Sequence, residues 1–222
     1  MGWLDGSVIM YSPGHFKESD PMVLRDAIRR LAAGELISSG PGGLEATVLP
    51  LLISDGADRI TGHLARANRQ WERADLSLPA LVTWRGPNAY VSPSYYPSKS
   101  EHGKVVPTWN YIAVQARGTL VLHHDPEWKR SHVASLTTRH EATFPAPWSI
   151  DDAPADYIDS MLRSIVGIEV LVTSLEGKWK LSQNRPAPDI AGVITGLAAH
   201  GPTTDEVRVA ELMVDPSGPR AD

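Results

Sequence analysis

The 222-residue chain contains no cysteine, which removes disulfides, thiolate nucleophiles and cysteine-ligated zinc or iron–sulfur centres from consideration. It has no apolar run approaching the roughly 20 residues that a membrane helix needs. Its first residues, Met1-Gly2-Trp3-Leu4-Asp5, show neither the basic region nor the long apolar stretch of a secretory signal. Together these absences predict a cytoplasmic protein without a membrane partner. Basic charge is scarce: 21 Lys and Arg stand against 26 Asp and Glu, a formal charge of −5. Such a balance repels a polyanion unless the basic groups gather on one face. The G-x-S-x-G elbow, the G-x-G-x-x-G fingerprint and the Walker loop are all missing, and His140-Glu141 lacks the second histidine of a zincin helix.

What the chain does have is turn chemistry. Eighteen glycines and eighteen prolines, with 42% hydrophobic and only 21% charged residues, suit many short strands around one core better than a helical bundle. Asp20-Pro21 places a capping carboxylate before a proline, and Leu24, Ile28 and Leu31 follow at helical spacing until Gly34. A hairpin is expected from Glu35 to Ile53 around Gly40-Pro41-Gly42-Gly43, followed by a strand Arg59–His63. Strand pieces Ala80–Trp84 and Ala89–Ser92 flank Gly86-Pro87. A surface loop runs from Tyr96 to Thr108, and a longer strand from Tyr111 to Leu122. Asp125-Pro126 repeats the cap-and-proline start, with Val133, Leu136 and His140 on one face. A further helix is read from Pro154 to Val166, with Ile158, Met161, Leu162 and Ile165 inward and Gly167 at its end. The last long strand, Ile168–Leu175, is expected to turn at Glu176-Gly177 into Lys178–Leu181. The order predicts an α+β, β-rich fold: an antiparallel barrel with peripheral helices in one domain, residues 1–198. Residues 199–222 would carry a short helix (Asp205 to Met213) and a loose tail from Pro216.

Three stretches could carry chemistry. His63-Leu64-Ala65-Arg66-Ala67-Asn68 follows a strand and combines an imidazole, a guanidinium and an amide. Such a strand end can hold a phosphate through the Arg fork and local backbone N–H groups; equally, His63 could cap a turn and Arg66 be solvated. Thr108-Trp109-Asn110-Tyr111 sets two rings around an amide, which suits a flat heteroaromatic ligand or ordinary packing. Gly177-Lys178-Trp179-Lys180-Leu181-Ser182-Gln183-Asn184-Arg185 is the densest polar run. Its lysines share one strand face, able to meet a phosphate or to protect an edge. His123-His124-Asp125 has metal-ligand types, but neighbouring strand residues point to opposite faces, so one metal could not use both imidazoles.

As a set, in order, these residues resemble the PaiB family of FMN-binding negative transcriptional regulators: His15-Phe16, Gly62–Asn68 with Gln70-Trp71, Gly86-Pro87, Tyr90–Ser94, Val106–Tyr111, His140-Glu141, Pro147-Trp148, Met161-Leu162, Ile165–Ile168 and Gly177–Arg185. The match runs from about Met10 to Leu197. The resemblance implies an FMN-binding split β-barrel, related in fold to pyridoxamine-phosphate oxidases, that forms a homodimer with flavin at the subunit interface. Carried onto this chain, it makes His63, Leu64, Ala65, Arg66, Asn68, Trp109, Asn110, Lys180, Gln183 and Arg185 the expected cofactor-binding residues. The FMN phosphate is expected at the His63–Asn68 strand end, with Lys180, Gln183 and Arg185, of the same or of the other subunit, completing the site. Two positions depart from the family pattern: Val48 stands where a histidine usually precedes Leu-Pro, and Arg69 replaces a proline.

Three functions remain open: a flavin-binding regulator, an FMN-dependent oxidoreductase acting on a small molecule, and a dimeric scaffold without flavin. No residue stands out as a general acid or base, although His63, His102 and Tyr111 have the required chemistry. Direct DNA binding is doubtful despite the family name, because the charge is acidic and no helix-turn-helix is legible. Arg25, Arg29 and Arg30 on the first helix read as a solvated face.

Overall fold

The computed structural model describes residues 10–199 and 203–216. In chain order the elements are β1 (Lys17–Glu18), α1 (Pro21–Leu31), β2 (Ala33–Gly40), β3 (Gly43–Pro50), β4 (Leu52–Ile53), β5 (Arg59–Ala65), α2 (Gln70–Arg73) and β6 (Pro79–Val91). They continue as α3 (Ser98–His102), β7 (Thr108–His123), α4 (Pro126–Glu141), α5 (Ala155–Arg163), β8 (Ile165–Lys180), α6 (Ala187–Ala199) and α7 (Thr204–Val214). The strands form one sheet in the order β3-β2-β6-β7-β8-β5-β4, with β1 on β8. The β2–β3, β2–β6, β4–β5, β5–β8 and β1–β8 pairings are antiparallel.

Two compact units emerge, and β6, β7 and β8 each contribute residues to both. The first unit comprises residues 25–84 and 116–175; the second comprises, among the described residues, 10–24, 85–115, 176–199 and 203–216. Alternation along the strands builds the first core from Leu36, Ile60, Leu64, Val82, Trp84, Val166, Ile168 and Val170. Leu24, Val91, Val114, Val193, Leu197 and Val209 form the second. Burying each such side chain stabilises the fold by about 1.5–3 kcal/mol.

Local chemistry explains most element ends. Asp20 accepts the Met22 N–H at 2.8 Å and caps α1, and Asp125 accepts the Trp128 N–H at 2.8 Å to start α4 with Pro126 behind it. The β2–β3 hairpin pairs Ala33 with Pro50 through to Gly40 with Gly43. Several expectations are corrected. The first helix stops at Leu31, where Ala32 turns left-handed (φ 57°), and Gly34 already pairs with Leu49. Gly86-Pro87 and Glu176-Gly177 do not interrupt their strands; Gly177 is paired with Glu18, and a ladder partner outweighs turn propensity there. The helix read from Pro154 to Val166 ends at Arg163, so Ile165 and Gly167 belong to β8, and Met161 is exposed. On α4 the buried face is Lys129, His132 and Leu136, while His140 is exposed. Polar residues win that face because each finds a partner inside. The single-turn α3 lies in the stretch read as a surface loop, and α6 in a stretch for which the sequence predicts no element. The tail expected from Pro216 falls, past Pro216, outside the described residues.

Candidate functional site

The ten predicted cofactor residues divide between the two units. In the first, β5 delivers His63, Leu64 and Ala65, and Arg66 and Asn68 follow in the turn. Pairing with β8 sets their direction: His63 lies opposite Gly167, Leu64 opposite Val166 and Ala65 opposite Ile165. Leu64 is consequently core, 1% exposed, and can meet a ligand only through its backbone. Arg66 donates Nε to the Arg163 carbonyl at 2.8 Å and Nη2 to the Ile165 carbonyl at 3.2 Å. Its guanidinium carbon lies 5.8 Å from the centre of the Trp71 ring. Of the five guanidinium N–H groups, three have no partner among the described residues.

Asn68 is held from both ends. Its amide donates to Thr47 Oγ1 at 2.9 Å, and its carbonyl accepts the Gln70 N–H at 3.0 Å. The buried Gln70 amide in turn donates to the Leu36 carbonyl, Ser38 Oγ and the Glu45 carbonyl. Asn68 therefore shapes the strand end and has little left for a ligand. The two departures from the family pattern can be located in the structure. Val48 is exposed, and Arg69 keeps φ at −75°, within proline's own range, while pairing with Glu72 at 2.5 Å.

His63 faces inward on one side. Its Nδ1 is 3.3 Å from Nε2 of His132 on α4, and burial lowers the basicity of His63. His132 is buried; burial first, then the neighbouring His63 and His123, brings its pKa down to about 4. Trp128, one turn earlier, stacks with His132 (5.3 Å, 18°) and with His123 (3.9 Å, 5°). Trp128 lies against Gly167: a Cβ there would come within 2.2 Å of Cζ3. His123 Nε2 is 2.9 Å from Glu169 Oε2. Beside this column is a cavity of about 350 Å³ lined by Trp128, His132, Glu169, Arg59, Ser131 and Ser135, among others. His124, just past the end of β7, packs edge-on to Trp71, and no metal-binding cluster occurs among the described residues. Sequence reasoning missed His132, Trp128, His123 and Glu169 as a group. Their separation along the chain hides them; the only local sign is that Trp128 and His132 sit four apart on one helix.

In the second unit Lys180 donates to Thr108 Oγ1 at 2.6 Å and to the Trp109 carbonyl. Burial, then Lys178 and Arg185, lowers its pKa. Arg185 stacks over Tyr96 at 5.0 Å. The Gln183 side chain loops back, accepting the Leu181 N–H and donating to the Trp179 carbonyl. Asn110 is fully buried, exchanging hydrogen bonds with Ser182 Oγ (2.9 and 3.1 Å) and reaching Met213 Sδ at 3.3 Å. Thr108, Asn110, Lys180, Ser182, Asn184, Arg185 and Phe16 surround a recess of about 90 Å³, large enough for an anion but not for an aromatic cofactor. Trp109 is half exposed, edge-on to Tyr90, and with Tyr111, Arg85, Gly86, Asn88, Ile112 and Ala113 lines a shallow pocket of about 360 Å³.

Comparison with known proteins shows the family of the chain. Residues 10–174 match the family described as "Putative FMN-binding domain". "Protease synthase and sporulation protein PAI 2" of Bacillus subtilis is 31% identical over 208 residues, covering 93% of this chain and 97% of that protein. An uncharacterised protein of Aspergillus fumigatus is 36% identical over 156 residues, 62% of this chain; the match spans 60% of that protein's length. Among solved structures, the FAD and heme binding protein of Mycobacterium smegmatis superposes with a TM-score of 0.56 at 14% identity, over 79% of this chain and 78% of that one. A flavocytochrome of Azotobacter vinelandii gives 0.54 at 12% identity, over 78% and 71%. At these identities the structural likeness speaks for the fold alone. The family match over most of the chain and the near full-length relative go further, and on them this chain belongs to the PaiB-type FMN-binding family, a split β-barrel whose cofactor is FMN.

Proposed function

We propose that this chain is a cytoplasmic, homodimeric flavoprotein that acts as a negative regulator of the PaiB type through its FMN, without reading duplex DNA itself. The observation that carries the reading is the donor set at the end of β5. Among the described residues Arg66 keeps three unused N–H groups, and His63 has one ring nitrogen engaged and the other without a hydrogen bond. A planar fork beside an imidazole is suited to a phosphate dianion. Ala65 and Leu64 contribute backbone, and Asn68 fixes the turn. Lys180, Gln183 and Arg185 of the other subunit are proposed to complete the phosphate site in the dimer; Trp109 offers an exposed ring face and Asn110 positions its strand. Bound FMN supplies a redox-active ring; the protein supplies anchorage and orientation. The regulator role is supported by the relative in Bacillus subtilis, whose description names sporulation. The indirect route is supported by the net charge of −5, which a dimer doubles.

The test is a titration with FMN and with riboflavin, followed by quenching of flavin fluorescence. FMN should bind at least about tenfold more tightly. Arg66→Ala should weaken FMN by about 1.5–3 kcal/mol, the range for a hydrogen bond to a charged group, and leave riboflavin unchanged. Equal affinity for the two flavins would refute the phosphate assignment.

An FMN-dependent oxidoreductase is the second reading. The cavity beside His132 and Glu169, about 350 Å³ and lined by hydroxyl, carboxylate and guanidinium groups, favours it. Steady turnover of a reduced nicotinamide by the flavin-loaded protein would support it, and no turnover over the uncatalysed rate would remove it.

A further inference from the structure

We propose that His132 sets the tautomer of His63: its Nε2–H donates to His63 Nδ1 and so holds His63 with its own proton on Nε2, as a donor aimed at an anion. The inference rests on the reading that His63 contacts the flavin phosphate and names the residue that equips it to do so.

The 3.3 Å contact joins two ring nitrogens, and between two neutral imidazoles one of these nitrogens must carry a proton and the other a lone pair. Both rings are neutral near pH 7, since burial disfavours the charged form of each. Two arrangements remain. Were His63 the donor, His132 would carry its proton on Nδ1, which is buried with no partner among the described residues. That would leave an orphaned N–H inside the protein. In the reverse arrangement the same atom is an unpaired acceptor, and under-satisfied buried acceptors are the commoner of the two defects. Thr61, Ser131 and Ser135 line the same cavity as His132, but none hydrogen-bonds its Nδ1, and the charged groups nearby are engaged elsewhere among the described residues. On β8 the Glu169 carboxylate is engaged by His123. On β5 the Arg59 guanidinium lies 3.9 Å from Glu169. On α4 the Lys129 ammonium donates to the Leu162 carbonyl at 2.7 Å. Stacking between Trp128 and its two imidazole neighbours keeps His132 from turning.

The consequence is chemical polarity. With the proton on Nε2, His63 presents an N–H to a phosphate oxygen; with the opposite tautomer it presents a lone pair, which repels one. His132 acts through His63 and is a positioning residue.

The experiment has two arms. Long-range ¹H–¹⁵N correlation spectra of the flavin-free protein at pH 7 report the His63 tautomer directly: Nδ1 should resonate as an unprotonated nitrogen and Nε2 as a protonated one. Flavin titration then compares variants. His132→Leu removes the donor and should reduce the preference for FMN over riboflavin by about tenfold, the weight of one charge-assisted hydrogen bond. His132→Gln, whose amide can donate from a similar position, should restore it to within about threefold. Should His63 carry its proton on Nδ1, or should His132→Leu and His132→Gln bind FMN alike, the inference falls. Should the tautomer be as stated while His63→Ala leaves the FMN-to-riboflavin ratio unchanged, the phosphate assignment falls instead and the tautomer assignment stands.

Discussion

Removing the buried imidazole at position 132 should change how the protein responds to acid. In the folded chain His132 protonates only at about pH 4, whereas in the unfolded chain it does so near its ordinary value of about 6.5. Above pH 6.5 both states are neutral and the difference costs nothing. As the pH falls from 6.5 toward 4, the unfolded chain gains a proton that the folded chain refuses, so stability is lost through that window and the loss levels off below it. One pKa unit corresponds to about 1.4 kcal/mol, so the full effect is about 3 kcal/mol and most of it is present by pH 4.5. His63 is lowered by burial and acts in the same direction. The assay is urea unfolding of the flavin-free protein and of His132→Gln at several pH values between 7 and 4.5, read as midpoint times slope. Glutamine does not titrate, so the variant should lack this part of the acid sensitivity. Its deficit against the parent should shrink by about 2–3 kcal/mol across the range. Ion pairs such as Arg73 with Glu45 and Arg29 with Asp55 are common to both proteins and cancel in the comparison. Parallel pH profiles would mean that His132 is not held neutral in the folded state, and the reasoning about its surroundings would be wrong.

Gly118→Ala should destabilise the fold by about 3 kcal/mol or more, because a Cβ there would stand 2.0 Å from the Leu171 carbonyl oxygen, which is backbone and cannot step aside; a thermal melt within a degree or two of the parent's would contradict the packing. Light scattering at micromolar concentration should give a dimer, and Trp109→Ala should shift it toward monomer, since a half-exposed tryptophan on a shallow pocket is the kind of residue an interface covers; a parent that runs as a monomer ends the dimer proposal. No sequence-specific footprint on duplex DNA should survive competitor DNA at physiological salt, with or without FMN; one that does would restore direct repression as the leading function.

What could be read from the chain beforehand divides along a physical line. Features encoded over a few neighbouring residues were legible: the Asp20-Pro21 and Asp125-Pro126 helix starts, the hairpin at Gly40–Gly43, and the strand end at His63–Asn68. Features decided by distant partners were not. Gly177 looks like a turn until Glu18 arrives opposite it, and Val133 looks like the inward residue of α4 until His63 claims His132 and the Leu162 carbonyl claims Lys129. The candidate site follows the same rule. Its contiguous donors were visible in the β5 segment, but the part that Arg66 devotes to the Arg163 and Ile165 carbonyls depends on a segment a hundred residues away. So does the imidazole column, which combines β5, β7, α4 and β8.

The amide network around Gln70 bears on how such a strand end tolerates mutational drift. Thr47, Asn68 and Gln70 tie the turn to β2 and β3 through hydrogen bonds that do not involve the side chain of residue 69. A proline ring at that position would restrict a backbone angle the network already imposes. The constraint is therefore duplicated, and either copy can be lost without moving the donors on β5. Arginine at this position keeps the backbone angle within proline's range, leaves the unfolded chain less restricted than proline would, and adds a surface charge paired with Glu72.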